Sequence, residues 1–184
     1  TATTEIYTFP YTTLFRSLKR FVALYFFSLA LLFTLFYADT SAVSSIVNQV
    51  QTELTLRGLE QLLEPGQLQG IDIVINPHYK IVINQACNGV IPILFFFAAV
   101  LAYPSAIMPK VLWSAVGYIV FSTVNILRIW LVVNAVEGES GRGNFYWSHD
   151  IVGNVILMSA GLLLFVAFIK SSRGSRKRPE SDCR

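Results

Sequence analysis

The sequence predicts an all-α membrane protein with about four transmembrane helices, plus an external amphipathic helix and a β-hairpin before the second span. Of the 184 residues, 54% are hydrophobic and only 14% are charged, whereas about a quarter of a typical soluble domain is charged. The apolar residues concentrate in four blocks, and a helix needs about 20 such residues to cross a bilayer. Lipid therefore replaces water as the solvent for most of this chain.

The four predicted spans cover residues 21–37, 90–103, 111–136 and 151–169. The second is short, but flanking residues on both sides can extend it. Each span after the first begins or ends near a charged or polar turn, so one membrane domain is expected.

The basic residues set the predicted orientation. Lys19 and Arg20 precede the first span, Lys110 separates the second from the third, and a basic tail follows the fourth. Short loops rich in lysine and arginine stay in the cytoplasm, so both termini are expected there. Residues 39–88 and 137–150 then lie outside. Nucleic acid is an unfavourable partner, because the basic residues flank apolar blocks and form no stripe between them.

The first outside segment has ordered structure of its own. Apolar residues recur at helical spacing in an otherwise polar stretch, which predicts an amphipathic helix lying on the membrane or on the bundle; they are Val43, Ile46, Val47, Val50 and Leu54. This helix is expected to stop at Pro65-Gly66. Two alternating runs, 71–75 and 80–84, flank a turn rich in Asn and Pro, and they predict a β-hairpin.

The two ends of the chain differ from the membrane domain. Residues 5–17 run EIYTFPYTTLFRS and resemble a translated sequencing adapter more than natural protein. We therefore expect a non-native segment over residues 1–17, the membrane domain over 18–170 and a basic cytoplasmic tail over 171–184.

Three residues are candidates for chemistry because the bilayer makes them costly or unusual. Arg128 lies inside the third span, where an arginine costs roughly 2.5–3.5 kcal/mol on insertion scales and usually faces the bundle interior. Cys87 precedes the second span, where the positive end of a helix dipole favours the thiolate. His149 precedes the fourth span. The predicted topology brings all three side chains to the outer face.

Each of these residues also has a simpler interpretation. Cys87 can be a small packing residue, Arg128 can bind backbone carbonyls or a lipid headgroup, and His149 can be an interfacial anchor. Three independent accidents at one face are less probable than one site, so the joint pattern favours chemistry.

Other polar residues nearby are assigned to structure. His78 is a rival base, but it follows a proline in the predicted hairpin turn, and Cys183 lies in the tail. Ser148 or Asp150 can cap the fourth helix. Asn125 shares a helix face with the arginine three residues later, so it can orient that arginine or the substrate.

These residues form three motifs, and their order and intervals resemble those of the exosortase/archaeosortase family. The motifs are Ala-Cys-Asn-Gly at 86–89, Asn-x-x-Arg at 125–128, and His149 followed by Gly153. The resemblance covers roughly residues 80–170. The asparagine after the cysteine and the short chain are most similar to the compact exosortase H branch.

The resemblance implies a membrane-embedded cysteine protease/transpeptidase of the bacterial inner membrane, active at the periplasmic face. Its substrates would be exported proteins that end in a short motif, a membrane span and a basic cluster. Cys87 would form a thioester, Arg128 would stabilise the thiolate and the oxyanion, and His149 would act as acid and base. Asn125, Asn88 and Gly89 would bind or orient the substrate, without a metal or other cofactor.

Two alternatives remain open at this point. A lipid-modifying or transport protein would use Arg128 for a phosphate headgroup and would not need Cys87. A non-enzymatic membrane assembly or lipid-binding protein would use Arg128 and His149 for contacts with a headgroup or with a partner. In that case membrane lipid or a partner's tail is the ligand, and Cys87 is dispensable.

Overall fold

The computed structural model describes residues 11–39, 41–76, 79–137 and 153–175, and helices dominate these ranges. The elements in chain order are α1 Tyr11–Phe36, α2 Ala42–Glu60, β1 Leu68–Gln69, β2 Asp72–Asn76, β3 Tyr79–Val82, α3 Val90–Ala102, α4 Ile107–Glu137 and α5 Gly153–Ser175. The predicted helical class is confirmed. Helix α1 begins inside the segment expected to be non-native, and the predicted division of the chain into three parts stays a prediction.

Within the described residues, three helices are long and apolar enough to cross a membrane: Arg16–Phe36, Ile107–Asn134 and Gly153–Ser172. They correspond to the first, third and fourth predicted spans. The second predicted span forms α3, which has 13 residues and is therefore about 20 Å long at 1.5 Å per residue. A hydrocarbon core is about 30 Å thick, so the count of four spans stays a prediction.

Helix α3 runs antiparallel to α4. At one end of the pair Gly89, the residue before α3, lies against Asn125 of α4. At the other end Lys110 Nζ donates a 2.7 Å hydrogen bond to the carbonyl oxygen of Leu101. Helices α4 and α5 are also antiparallel: Arg128 contacts Gly153 at one end, and Trp113 contacts Phe168 at the other.

The basic ends of the helices gather at one end of the bundle. Phe21, directly after Lys19 and Arg20, contacts Phe165 of α5, with ring centroids 6.4 Å apart. Tyr103, directly after α3, also contacts Phe165. Lys110 hydrogen-bonds to Leu101 near the end of α3, and Lys170 follows Phe168, whose ring contacts Tyr103, so both lysines lie at this end of the bundle. The Cys87 end of α3 is therefore the opposite end of the bundle from these cations.

Close packing of aromatic rings holds the helices together. The main buried cluster joins α3, α4 and α5 through Ile93, Phe96, Val100, Phe121, Leu157 and Phe168. A Cβ atom on Gly117 would lie 2.2 Å from the Phe96 ring. Because that position carries no side chain, the ring lies directly on α4 and the two helices approach closely.

The predicted β-hairpin is confirmed, and it has a third strand. Strands β2 and β3 pair antiparallel, and β1 pairs with the other edge of β2, which the sequence did not predict. Only Gly70 and Ile71 connect β1 to β2, and Gly70 has φ +66°. Glycine at the first central position is typical of a type II′ hairpin turn, so this Gly-x pair was the available signal.

The sheet covers the C-terminal part of α4. A second buried cluster joins the end of α2, the sheet and α4, and its members are Leu59, Ile73, Ile83, Ile129 and Val133. Helix α4 therefore has two roles along its length. Its first half packs within the helical bundle, and its last turns pack under the sheet.

Helix α2 is present as predicted, and the structure shows which way it faces. Its buried residues are mostly polar, namely Ser44, Gln51, Thr55 and Leu59. The predicted apolar stripe is largely exposed: Val43, Ile46, Val50 and Leu54 are 38–61% exposed. The helix thus turns a polar stripe to the bundle and leaves an apolar flank that suits lipid. It runs parallel to α4, with Gly58 against Ile126.

Candidate active site

Cys87 lies in a tight loop between β3 and α3. It is partly buried. Its backbone N–H donates to the Asn84 carbonyl oxygen at 2.9 Å, and the Ala86 N–H donates to Asn84 Oδ1 at 3.0 Å. Gly89 then turns the chain into α3 with φ +79°, a left-handed conformation that glycine adopts without steric cost. The thiol is therefore held next to the N-terminus of α3.

Asn125 joins this loop to α4. It is fully buried, and its Nδ2 donates a 2.9 Å hydrogen bond to the Cys87 carbonyl oxygen. A Cβ atom on Gly89 would lie 2.9 Å from Asn125 Cγ, so glycine is required there for space as well as for its φ angle. Asn125 Oδ1 accepts no hydrogen bond from the described residues. A buried acceptor in that state favours a donor brought by a ligand or by water.

Arg128 lies three residues further along α4, on the same helix face as Asn125. It is only 6% exposed. Its Nη2 lies 3.5 Å from Asn154 Oδ1, and a Cβ atom on Gly153 would lie 2.2 Å from its Nε. The glycine of the His-x-x-x-Gly motif therefore has a steric reason: the guanidinium stem occupies the space of its side chain.

One wall of the site is apolar. A small cavity next to Cys87 is lined by Ile81, Ile83, Ile129 and Val132. The first two lie in β3 and directly after it, and the last two lie in the C-terminal part of α4. Branched apolar side chains keep this side of the thiol dry, and electrostatic interactions are stronger where water is excluded.

The sequence analysis missed a buried polar network under the loop. Gln51 of α2 donates to the Asn88 carbonyl oxygen at 3.1 Å and to Ser122 Oγ at 3.1 Å, and it accepts from Tyr118 at 2.8 Å. Asn88 Nδ2 also donates to Asn48 Oδ1. The available signal was the spacing of Ser44, Asn48, Gln51 and Thr55, which is as helical as that of the apolar stripe.

The structure joins four predicted site residues, namely Cys87, Asn88, Gly89 and Asn125, and Arg128 lies about one helical turn beyond Asn125 on α4. Asn88 is fully buried, and its Oδ1 accepts from the Val90 N–H at 3.3 Å, so its geometry fits orienting the loop. The sixth, His149, lies outside the described residues, as do His78, Ser148, Asp150 and Cys183. Within the described ranges, no group of three or more His, Cys, Asp or Glu side chains can hold a metal ion.

The contact between Gly153 and Arg128 gives a stability prediction. Gly153→Ala is expected to destabilise the protein by about 1–3 kcal/mol, because the new methyl group overlaps the arginine stem. Gly161→Ala on the same helix is the comparison: its Cβ atom would lie 3.2 Å from a Phe121 ring atom, a tight but smaller overlap, so a smaller loss of stability is expected. Unfolding in detergent by heat or denaturant measures both. Equal stability of Gly153→Ala and wild type would contradict the observed packing.

The fold and the site define an integral membrane protein with a cysteine at the N-terminus of one helix and a buried arginine on the next. A family model described as transmembrane exosortase (Exosortase_EpsH) matches residues 6–166. The chain belongs to this family, as its three motifs predicted, and at family level it is a transmembrane sorting transpeptidase. No curated protein and no solved structure matches the chain.

Proposed function

We propose that this protein cleaves the C-terminal sorting tails of exported proteins at the outer face of the bacterial inner membrane and transfers them to an acceptor. One observation carries the proposal. The hydrogen bond from Asn125 Nδ2 to the Cys87 carbonyl oxygen holds the cysteine loop on the face of α4 that bears Arg128. This bond supports a site in which a nucleophile at a helix N-terminus would work with a buried cation about one helical turn beyond Asn125.

In the first step, the Cys87 thiolate attacks the backbone carbonyl carbon near the outer end of the tail. A C–S bond forms, and the carbonyl π electrons move to the oxygen. The tetrahedral intermediate then collapses, the C–N bond breaks, and the leaving amine takes a proton from the general acid. The product is a thioester on Cys87.

Arg128 supplies the positive charge for this step. A guanidinium stays protonated in any protein environment and presents several N–H donors in a rigid plane. Its stem is clamped against Gly153, so little reorganisation is needed when negative charge develops on the sulfur and then on the carbonyl oxygen. Preorganised donors of this kind contribute most in sites that exclude water.

His149 is proposed as the general acid and base. It precedes Gly153 by four residues, and Gly153 lies directly on Arg128. In the second step the neutral imidazole takes a proton from the acceptor nucleophile, which attacks the thioester and releases the Cys87 thiolate. Asn125 Oδ1, a buried acceptor, is suited to receive a substrate N–H.

The proposed orientation follows from the two ends of the bundle. The end that gathers Lys19, Arg20, Lys110 and Lys170 would face the cytoplasm, with α3 as a short fourth span. Cys87 would then face the periplasm. A substrate tail with its own basic cluster would align in the same direction, with its motif near the cysteine and its cluster near the cationic end.

Detection of the acyl-enzyme tests the proposal. The full-length protein would be co-expressed with a reporter that ends in a motif, span and basic cluster taken from the same genome. We expect the reporter to be cleaved and a hydroxylamine-labile adduct on Cys87 to be detected by mass spectrometry. Cys183→Ser, the matched control, should retain both.

The competing function predicts the opposite result. If the reporter stays intact but co-purifies with the protein through Arg128, the assembly or lipid-binding alternative is supported.

A further inference from the structure

Two successive carbonyl groups of the cysteine loop are held by buried carboxamides from two different helices. The Cys87 carbonyl oxygen accepts from Asn125 of α4, and the Asn88 carbonyl oxygen accepts from Gln51 of α2. On the other side of Cys87, the Asn84 carbonyl oxygen accepts a hydrogen bond from the Cys87 N–H. Because each peptide unit is planar, these bonds fix the planes on both sides of the nucleophile and the plane that follows.

The buried carboxamide of Gln51 is hydrogen-bonded through both its nitrogen and its oxygen. It is 2% exposed. Both described acceptors of its Nε2, the Asn88 carbonyl oxygen and Ser122 Oγ, lie at 3.1 Å, and its Oε1 accepts from the Tyr118 hydroxyl at 2.8 Å. A buried amide costs free energy unless it is hydrogen-bonded. A flipped carboxamide would face the Asn88 carbonyl oxygen with its own oxygen, so the network selects one orientation.

We infer that Gln51 is a positioning residue for Cys87, and that α2 holds the cysteine loop in place. The expected effect of Gln51 on the rate of cleavage rests on the proposed function, whereas its expected effect on the reactivity of the Cys87 thiol does not. This role explains why α2 turns its polar stripe toward the bundle and leaves its apolar flank exposed. Without the Gln51 bond, Asn125 and the hydrogen bond between Asn88 and Asn48 still hold the loop, but the Asn88 carbonyl group is no longer fixed, and the position of the thiol becomes more variable.

Gln51→Met tests this inference, because methionine has a similar shape and no strong donor. In a Cys183→Ser background, we expect kcat for reporter cleavage to fall about 10–100-fold with KM changed less than about twofold. The rate of Cys87 alkylation by iodoacetamide should change more than about threefold across its pH profile, since a released loop alters the thiol's access and surroundings. Gln49→Met, an exposed glutamine on the same helix, is the matched control and should match wild type.

A graded second variant separates positioning from general stability. Tyr118→Phe removes the hydroxyl but keeps both Nε2 bonds, so it should lower kcat only about two- to threefold. If Gln51→Met does not fold, Tyr118→Phe combined with Ser122→Ala is expected to show the same changes at smaller size.

Two results would overturn the inference. The first is wild-type cleavage and alkylation in Gln51→Met. The second is lower unfolding stability in that variant with unchanged kcat and alkylation for each folded molecule, which would assign Gln51 to structure alone. If the Cys87→Ala variant cleaves the reporter, the proposed function fails instead, and alkylation still decides whether Gln51 positions the loop.

Discussion

Replacement of Cys87 by alanine is expected to lower the rate of tail cleavage by about 10⁴-fold or more, because no thioester can form without the nucleophile. Folding should be little affected, since the side chain is partly exposed and its loop is held through backbone groups. Cleavage of the reporter tail, followed as a mobility shift in membranes, measures the effect. The change removes a thiol but none of the hydrogen bonds described for the loop backbone.

Two further variants make this result specific. Cys183→Ser removes the other cysteine and should leave cleavage unchanged. Cys87→Ser keeps an oxygen nucleophile of much lower reactivity and should accumulate intact reporter. Normal cleavage by Cys87→Ala would rule out the proposed chemistry, whatever the behaviour of the other two variants.

Replacement of Arg128 by lysine is expected to lower kcat/KM about 10²–10³-fold. Lysine keeps the positive charge but loses the planar set of donors, so charge alone cannot replace the guanidinium at a fixed site. Because lysine is also a cation, the free-energy cost of placing a charge in the bundle is kept, and membrane insertion should change little. Reporter cleavage under subsaturating conditions gives the ratio directly.

Arg57→Lys is the matched control for this prediction. Arg57 lies on the exposed side of α2 and pairs with Glu53, so the same chemical change there should leave kcat/KM unchanged. A loss of less than about twofold in Arg128→Lys would mean that the arginine contributes charge or packing only. Retained cleavage in Arg128→Ala would remove it from the site altogether.

The helices and the hairpin were predictable because they depend on local rules. Lipid selects long apolar runs by composition, and a two-residue period predicts strands wherever one face is buried. The contact between the cysteine loop and Asn125 was also predictable in outline, since antiparallel neighbours bring the start of one helix beside the later part of the next. The third strand had only a weak signal, a single Gly-x pair at Gly70.

The orientation of α2 was not predictable from its own residues. An apolar stripe and a polar stripe at the same helical period allow either face to turn inward, and the usual preference is apolar inside. In this protein the outcome is reversed because the bundle offers partners for the polar stripe. Gln51 finds a carbonyl 37 residues away and hydroxyls 67 and 71 residues away, and lipid can cover the apolar flank.

The positions of the helices, the basic residues at their ends and the motif pattern that predicted the family all follow from the sequence alone. These properties depend on composition, period and charge within short stretches. The tertiary structure was needed to show that Asn125 and Gln51 donate hydrogen bonds to adjacent carbonyl groups of the cysteine loop, and that Gly153 leaves space for the Arg128 side chain. Those features depend on distances between distant segments, and packing sets such distances only once the helices have assembled.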